Sequence, residues 1–320
     1  MSERRLPWPE GQTPLMLAPM QGLTNRGLRG VQARLGRPDL LFTEFVRVRP
    51  GARQLIAASD LAEATTAHEG IPLVVQLIGK LDESVVEAAR ELVELGIEHL
   101  NLNMGCPFGR MKSELAGGGM FCHPGTVLPL LSALRPLVPG SLSVKTRAGL
   151  DDPEQILALV PLFEEGGADF LILHPRTVAQ RYEGEADHAI TRRLVEATSL
   201  PVIANGDVRS PGDARRVLEE TGAAGLMIGR GAISDPLLFE RIRGRAPARP
   251  TGQARHEEVA SHLEALLEVY AGMFQGEVQI VSKLKEAVRQ VDDPELQRWV
   301  GKLCRVKTLA RFRERLRSGG

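Results

Sequence analysis

A cysteine at the end of a β-type run is the first residue of this chain that could do chemistry. Cys106 follows the run 99–104 and precedes a glycine-rich loop at 117–119. Because strand side chains alternate between two faces, Asn101 and Asn103 share one face, and the apolar residues beside them take the other. The sequence therefore predicts a polar surface next to a thiol.

The Cys106 thiol admits three roles: a small buried apolar group, a thiolate nucleophile, or a neutral proton donor. A nucleophile needs an adjacent base or cation to lower its pKa from about 8.5, and the sequence identifies no dedicated base. A proton donor needs no such partner, because an ordinary thiol is mostly protonated at neutral pH. Cys122 and Cys304 lack a strand-end setting, and both are predicted to be structural.

Two glycine turns later in the chain are typical of phosphate binding. The turns Asn205-Gly206-Asp207 and Gly229-Arg230-Gly231 each follow a β-type run. Glycine lets backbone N–H groups approach an anion, and Arg230 adds a matching charge. Either motif alone could be only a tight turn, but two in succession favour a phosphate site.

Lys145 and Arg147 lie on the same face of the run 142–147, so one strand face is cationic near its end. Basic side chains are rarely buried without a partner. One interpretation is a structural salt bridge with Glu44. The other is an electron-rich or anionic ligand atom, such as the N1/O2 edge of a reduced flavin.

His174 ends the run 170–174 and, taken alone, could be a hydrogen-bonded core histidine. Arg176 and Tyr182 follow it closely. This concentration of polar side chains after a strand favours a ligand site instead.

Eight short β-branched or leucine-rich runs alternate with amphipathic helical segments. The runs are 15–20, 40–45, 73–78, 99–104, 142–147, 170–174, 202–205 and 225–228. Predicted helices include 82–95, 153–165, 188–197 and 211–220, several of them opened by Asp, Ser or Pro. The alternation predicts an α/β fold, a (β/α)8 TIM barrel, with a doubly wound open sheet as the alternative.

The positions of the polar residues favour the barrel. Nearly every run carries groups useful for chemistry at its carboxyl end, from Met20 and Gln76 to Asn205 and Gly229. Barrel active sites gather at this rim, whereas an open sheet would concentrate such residues at one switch point.

The composition agrees with a large aliphatic core. The 320 residues include 40 basic and 40 acidic side chains, and 43% are hydrophobic but only 4% aromatic. No run of about 18 apolar residues could cross a bilayer, and the amino terminus lacks the apolar stretch of a secretory signal, so a cytoplasmic protein is expected. Three cysteines far from CxxC spacing argue against a disulfide scaffold and against a structural metal site.

The pattern divides the chain into an N-terminal extension at 1–13, a barrel at 14–243, a Pro/Gly-rich linker at 244–255 and a helical domain at 256–320. From Leu296 onward the chain holds eight basic residues and one acid. The basic residues are Arg298, Lys302, Arg305, Lys307, Arg311, Arg313, Arg315 and Arg317. This segment could be a solvated helix face or a contact for a polyanion.

Taken together, these motifs make the chain resemble the tRNA-dihydrouridine synthases, flavin enzymes that reduce uridines in tRNA. The likeness covers nearly the whole chain, and the motifs occur in matching order and spacing. They are Ala18-Pro19-Met20-Gln21-Gly22, Thr43-Glu44, Gln76-Leu77, Asn103-Met104-Gly105-Cys106-Pro107, Ala116-Gly117-Gly118, Val144-Lys145-Thr146-Arg147, His174-Pro175-Arg176-Thr177, Gln180, Tyr182, Gly184, Ala186-Asp187, Asn205-Gly206-Asp207 and Gly229-Arg230-Gly231.

The resemblance implies FMN on the barrel rim, NADPH as reductant and tRNA as substrate. Flavin N5 would pass hydride to C6 of an extruded uracil, and Cys106 would protonate C5. The implied FMN contacts are Pro19, Met20, Gln76, Lys145, His174, Asn205, Gly206, Asp207, Gly229 and Arg230. The expected uridine or tRNA contacts are Arg47, Asn103, Arg147, Arg176, Tyr182, Lys283, Arg289, Arg298 and Arg305. A monomer without metal is expected.

The chain departs from the family pattern at Asn101, where Asp is usual, at Pro175, where Gly is usual, and at Gly119-Met120-Phe121. The segment around Arg47 resembles the subgroup acting at D-loop position 16, whereas the loop length at Cys106 resembles the subgroup acting at position 17. Two other functions fit the residues: an FMN barrel that reduces a free pyrimidine or another small metabolite, and a non-catalytic RNA chaperone.

Overall fold

The computed structural model describes residues 4–68, 70–80, 82–107 and 116–318. Nine strands lie in these residues: β1 (Leu15–Leu17), β2 (Leu40–Phe42), β3 (Val46–Arg47), β4 (Leu73–Ile78), β5 (His99–Met104), β6 (Leu142–Arg147), β7 (Phe170–His174), β8 (Val202–Asn205) and β9 (Gly225–Ile228). β1 pairs with both β2 and β9, and β2 pairs with β4, so eight parallel strands close into a barrel. β3 is added to the rim beside β4. The predicted barrel is confirmed.

The six later barrel strands occupy the predicted runs, but β1 and β2 end earlier than predicted. After β1, the Ala18 N–H still donates to Ile228 O at 2.9 Å, and Pro19 then has no N–H to continue the ladder. After β2, the Thr43 hydroxyl accepts the Gln76 N–H at 3.0 Å, where a backbone carbonyl would otherwise accept it. Both strands therefore stop where the chain reaches the barrel rim.

The amino-terminal half of the barrel interior is apolar and filled. Its buried cluster consists of Trp8, Met16, Ala18, Leu40, Phe42, Val74, Phe170, Ile172, Ile203 and Met227. Trp8, from the segment before β1, packs edge-on against Phe170 with ring centroids 4.8 Å apart. Side chains fill this end, as is usual for an eight-stranded barrel, and the space for a ligand lies at the carboxyl ends of the strands.

Helices follow the strands and continue beyond them. They are α1 (Arg26–Leu35), α2 (Ala58–Thr65), α3 (Glu83–Glu94), α4 (Val127–Leu134), α5 (Val160–Glu165), α6 (His188–Ala197), α7 (Pro211–Thr221), α8 (Arg230–Ser234), α9 (Leu238–Ile242), α10 (Gly252–Met273), α11 (Glu277–Val288), α12 (Gln297–Arg305) and α13 (Leu309–Arg317). Within the described ranges, none of them combines the length and apolar composition needed to cross a membrane.

Three of the predicted helices form as expected. Asp82, Asp187 and Ser210 accept first-turn N–H groups at the starts of α3, α6 and α7. The predicted helix at 153–165 is instead a 3-10 turn followed by α5. Pro161 explains the break, because it has no N–H to bond back into the preceding turn.

The helices α10 to α13 share a hydrophobic core with one side of the barrel. A single buried cluster includes Leu15 and Leu17 of β1, Leu28 of α1, and Leu263 and Leu267 of α10. α10 starts at Gly252, within the segment expected to be a linker. The helical region therefore packs on α1 and shares a buried cluster with the outward-facing residues of β1.

A buried ionic cluster also joins α10 to the end of the barrel. Arg241 pairs with Asp235 at 2.8 Å and with Glu258 of α10. Arg255 of α10 pairs with Asp235 and with Asp293, each at 3.2 Å. Because the two arginines are almost fully buried, separating the helices from the barrel would leave these charges without partners.

Candidate active site

A cavity of about 550 Å³ opens at the carboxyl ends of the strands. Its size falls within the range of about 300–1,000 Å³ that is usual for small-molecule sites. The expected site residues that line it are Pro19, Met20, Gln76, Asn103, Cys106, Lys145, Arg147, His174, Tyr182, Asn205, Gly206, Asp207, Gly229, Arg230 and Arg289. The structure thus brings together residues that lie far apart in the sequence.

A chain of amide hydrogen bonds crosses the upper barrel and ends at the cysteine. Asn103 Oδ1 accepts two backbone N–H groups at 3.1 Å, one of them that of Cys106. Asn103 Nδ2 must therefore donate to Gln76 Oε1, at 2.8 Å, and Gln76 Nε2 to Asn101 Oδ1, at 2.7 Å. Asn101 Nδ2 then donates to Ser143 Oγ at 2.8 Å. The two backbone donors thus set the orientation of the Asn103, Gln76 and Asn101 side-chain amides.

Lys145 is a basic side chain without an ionic partner among the described residues. Its Nζ donates to Asn205 Oδ1 at 3.0 Å, and Asn205 is oriented by its own donation to Met227 O at 2.7 Å. Burial, and then the charge of Arg147, lowers the pKa of Lys145 to about 7. No salt bridge with Glu44 is formed, so the structural alternative for Lys145 does not hold. An electron-rich ligand atom would restore the ammonium form.

His174 is neutral and its tautomer follows from its neighbour. Burial and the nearby cations, led by Lys145, hold the pKa of His174 well below its ordinary value. Arg176 Nη1 lies 3.1 Å from His174 Nε2 and can only donate, so the histidine carries its proton on Nδ1. Arg176 is itself buried and pairs with Asp207 at 2.6 Å. It therefore lies behind His174 and is absent from the cavity wall.

Arg147 connects the cysteine loop to Tyr182. Its Nε donates to Gly105 O at 2.9 Å, and its Nη1 donates to Thr177 O at 2.8 Å. The guanidinium carbon lies 5.3 Å from the centroid of the Tyr182 ring, and that of Arg230 lies 5.5 Å from the same ring. Tyr182 is 51% exposed at the mouth, so two guanidinium groups fix an aromatic ring at the cavity entrance.

Glycines pack closely around Cys106. The Gly118 N–H donates to Cys106 O at 3.2 Å. Gly117 has a φ of +56°, and a Cβ there would lie 3.1 Å from Cys106 Cβ. The predicted glycine-rich loop therefore holds the half-buried thiol in place, while residues 108–115 lie outside the described residues.

The two predicted phosphate turns lie side by side. Gly206 has a φ of +137°, and a Cβ there would lie 2.8 Å from Ala186 Cβ. A Cβ at Gly231 would lie 2.2 Å from Val208 O, so the two turns approach each other through backbone. Arg230 reaches the cavity with its side chain 41% exposed. Glycine is required at Gly231 because a side chain would occupy the space between the turns, and at Gly206 because of its positive φ and the approach of Ala186.

Five expected tRNA contacts lie outside the cavity, and one of them is Arg176, behind His174. Arg47 is exposed on the rim, with its guanidinium carbon 5.7 Å from the ring of Phe45. Lys283 is bonded within the protein, and Arg298 and Arg305 are exposed on α12. The cavity wall also contains residues that the sequence did not identify.

Some of the missed wall residues lie in α11, which ends at Val288, and just after it, and others lie in barrel loops. Glu286 and Gln290 line the cavity together with Arg289, and Arg209 and Phe45 join them from barrel loops. Phe45 follows directly on the Thr43-Glu44 motif, which could have indicated it. Glu286 and Gln290 carried no comparable signal, because a helical repeat shows which face is apolar and not what that face meets.

Comparisons with known proteins agree on one family. A family model described as dihydrouridine synthase matches residues 16–312. A probable tRNA-dihydrouridine synthase of Rhodobacter capsulatus is 34% identical over 265 residues, which cover 80% of this chain and 81% of that protein. tRNA-dihydrouridine synthase B of Vibrio cholerae is 36% identical over 232 residues, 72% of this chain and 70% of that one. A tRNA-dihydrouridine(16) synthase of Neisseria meningitidis is 28% identical, covering 92% and 96%.

Solved structures show the same barrel at much lower identity. The histamine dehydrogenase of Rhizobium sp. 4-9 matches with a TM-score of 0.56 at 14% identity, covering 80% of this chain and 49% of that one. The old yellow enzyme of Trypanosoma cruzi matches with a TM-score of 0.53 at 12% identity, covering 78% and 93%. These likenesses concern the fold alone.

Proposed function

Because this chain belongs to the dihydrouridine synthase family, we propose that it reduces a D-loop uridine of tRNA to 5,6-dihydrouridine, with FMN as bound cofactor and NADPH as reductant. The observation that carries the proposal is a cavity in which Lys145 lacks an ionic partner among the described residues and the backbone of Cys106 is hydrogen-bonded to Asn103 and Gly118. Such a cavity can hold an electron-rich ring and present a thiol to it.

The lining residues fit FMN. The turns Asn205-Gly206-Asp207 and Gly229-Arg230-Gly231 offer backbone and one cation to a phosphate. Lys145 and the Nδ1–H of His174 are donors suited to the electron-rich edge of the ring, with Pro19, Met20 and Gln76 on the surrounding wall. When bound, FMN would supply the hydride for uracil C6.

Cys106 would complete the reaction as the proton donor to uracil C5, so that the double bond gains one hydride and one proton. Asn103 keeps one N–H after bonding Gln76, and this N–H can donate to a uracil carbonyl. Arg147 and Tyr182 would contact the same base. Because the base starts within folded RNA, these contacts must offset an extrusion cost of roughly a few kcal/mol.

The helical region would bind the RNA backbone. The eight basic side chains of α12, α13 and their connection are all exposed. Contacts from such groups to phosphates are independent of sequence and position the RNA. Arg289, in the cavity wall, would lie between these contacts and the extruded base.

The test is a reaction with unmodified tRNA transcript, FMN and NADPH, followed by mass spectrometry of nuclease fragments. We expect dihydrouridine at one D-loop position, with NADPH oxidised in equal amount. A parallel reaction with uridine 5′-monophosphate tests the small-metabolite alternative, and comparable turnover there would refute the choice of tRNA. Bound tRNA without NADPH oxidation would support the non-catalytic RNA chaperone.

A further inference from the structure

The turn from Met20 to Thr24, which follows β1 and borders the cavity, is held by a lysine of the helical region. Lys283 Nζ of α11 donates to Gly22 O at 2.8 Å and pairs with Glu286 at 2.9 Å. A Cβ on Gly22 would lie 3.9 Å from each of these side chains, so they lie directly over its peptide. Lys283 therefore bridges α11 to the barrel rim.

The Met20–Thr24 turn is closed by its own hydrogen bonds. The N–H groups of Leu23 and Thr24 both donate to Met20 O at 3.0 Å. The Thr24 hydroxyl accepts the Met20 N–H at 2.7 Å. Gly22, with a φ of +84°, lies inside this turn. A displacement of the Gly22 peptide must therefore displace Met20.

Met20 in turn packs against the second phosphate turn. A Cβ on Gly229 would lie 3.1 Å from Met20 Sδ, which is closer than an ordinary carbon contact. The Glu44 carboxyl interacts with the Gly22 N–H. Gly22 is thus held through its N–H from the barrel and through its carbonyl from α11, and Met20 passes this restraint to Gly229.

We propose that Lys283 is a positioning residue of the flavin site, which makes the docking of α11 part of the cofactor pocket. The inference rests on the proposed FMN function. The positioning role takes the place of the tRNA contact expected for Lys283. Two further observations support it. The ammonium is already paired with Glu286, which reduces its attraction for phosphate, and the side chain is only 24% exposed.

Hydrogen–deuterium exchange of the full-length protein tests the restraint without FMN. Lys283→Met removes the ammonium and keeps the apolar stem, Lys283→Arg restores a cation, and Lys285→Met on the same helix is the matched control. We expect the Leu23 and Thr24 amides to exchange about tenfold faster in Lys283→Met, the loss typical of one charge-assisted hydrogen bond. Lys283→Arg should recover most of the protection, and Lys285→Met should match wild type. Unchanged exchange in Lys283→Met would overturn the proposal.

FMN and tRNA titrations separate positioning from RNA binding. We expect the Kd for FMN to rise about tenfold in Lys283→Met, with the salt dependence of tRNA binding unchanged. Suppose instead that the Kd for FMN is unchanged and that the plot of log affinity for tRNA against log salt concentration is less steep by about 0.7–0.9. That result would identify a phosphate contact and refute the positioning role. If wild-type protein binds no FMN, the proposed function fails, whereas the exchange data still decide whether Lys283 holds the turn.

Discussion

Replacing Glu44 by glutamine should change how stability depends on pH. Burial raises the pKa of Glu44 from its ordinary 4.5 to about 7. The Gly22 N–H and the positive charges of Lys283 and Arg29 lower this pKa, but burial has the larger effect. One oxygen of the carboxyl is buried without a hydrogen-bond partner among the described residues. The protonated form is therefore favoured in the folded protein.

The sign and size of the change in stability with pH follow from this pKa. A raised pKa means that stability is full below the ordinary value and is lost as pH rises through about 7. At about 1.4 kcal/mol per pKa unit, the loss between pH 5 and pH 8 is about 2–3 kcal/mol. Glutamine stays neutral throughout. Glu44→Gln should thus gain about 2–3 kcal/mol relative to wild type between these two pH values.

Urea unfolding at pH 5 and pH 8, with the same added FMN in every sample, measures this difference. Other titrating groups, such as the histidines, are common to both proteins and cancel in the comparison. Glu87→Gln, on the exposed face of α3, is the matched control and should follow wild type within about 0.5 kcal/mol. Parallel profiles for Glu44→Gln and wild type would show that the carboxyl is ionised in the folded protein and would refute the reasoning.

Three further predictions concern the reaction. Cys106→Ala should bind FMN and allow its reduction by NADPH, but dihydrouridine formation in single turnover should fall by about 10²–10⁴, and an unchanged rate would exclude the acid role. Lys145→Met should lower the flavin midpoint potential by about 30–60 mV in spectroelectrochemistry, because it removes a cation that stabilises the reduced ring by about 1.5–3 kcal/mol. An unchanged potential would show that Lys145 does not contact the ring. The double change Arg298→Gln and Arg305→Gln should lower the salt slope of tRNA binding by about 0.7–0.9 for each lost phosphate contact, and an unchanged slope would leave these arginines as solvated surface.

The barrel could be predicted because its pattern is local. Strand parity placed Asn101 and Asn103 on one face, which in the structure carries the hydrogen bonds to Gln76, and the strand ends marked the rim. The early end of β1 at Pro19 was visible in the sequence, but that of β2 was not. It depends on a bond between distant strands, from the Gln76 N–H to the Thr43 hydroxyl.

The part of the site on α11 could not be predicted for a related reason. The repeat of Val281, Leu284 and Val288 shows which face of the helix is buried, and it contains no information about what covers that face. The partner of Glu44 was also not predicted. Its charge suggested a salt bridge with Lys145, whereas in the structure its carboxyl interacts with the Gly22 N–H.

The departure at Asn101 shows how the structure accommodates a change in the family pattern. Asn101 accepts from Gln76 and donates to Ser143, and the hydroxyl of Ser143 donates onward to Leu100 O at 3.4 Å. An aspartate would accept from both neighbours, which requires only that the Ser143 hydroxyl rotate toward it. The orientation of Gln76 is set from the other side, by Asn103 and two backbone N–H groups. The position of Cys106 is therefore independent of whether residue 101 is an amide or an acid.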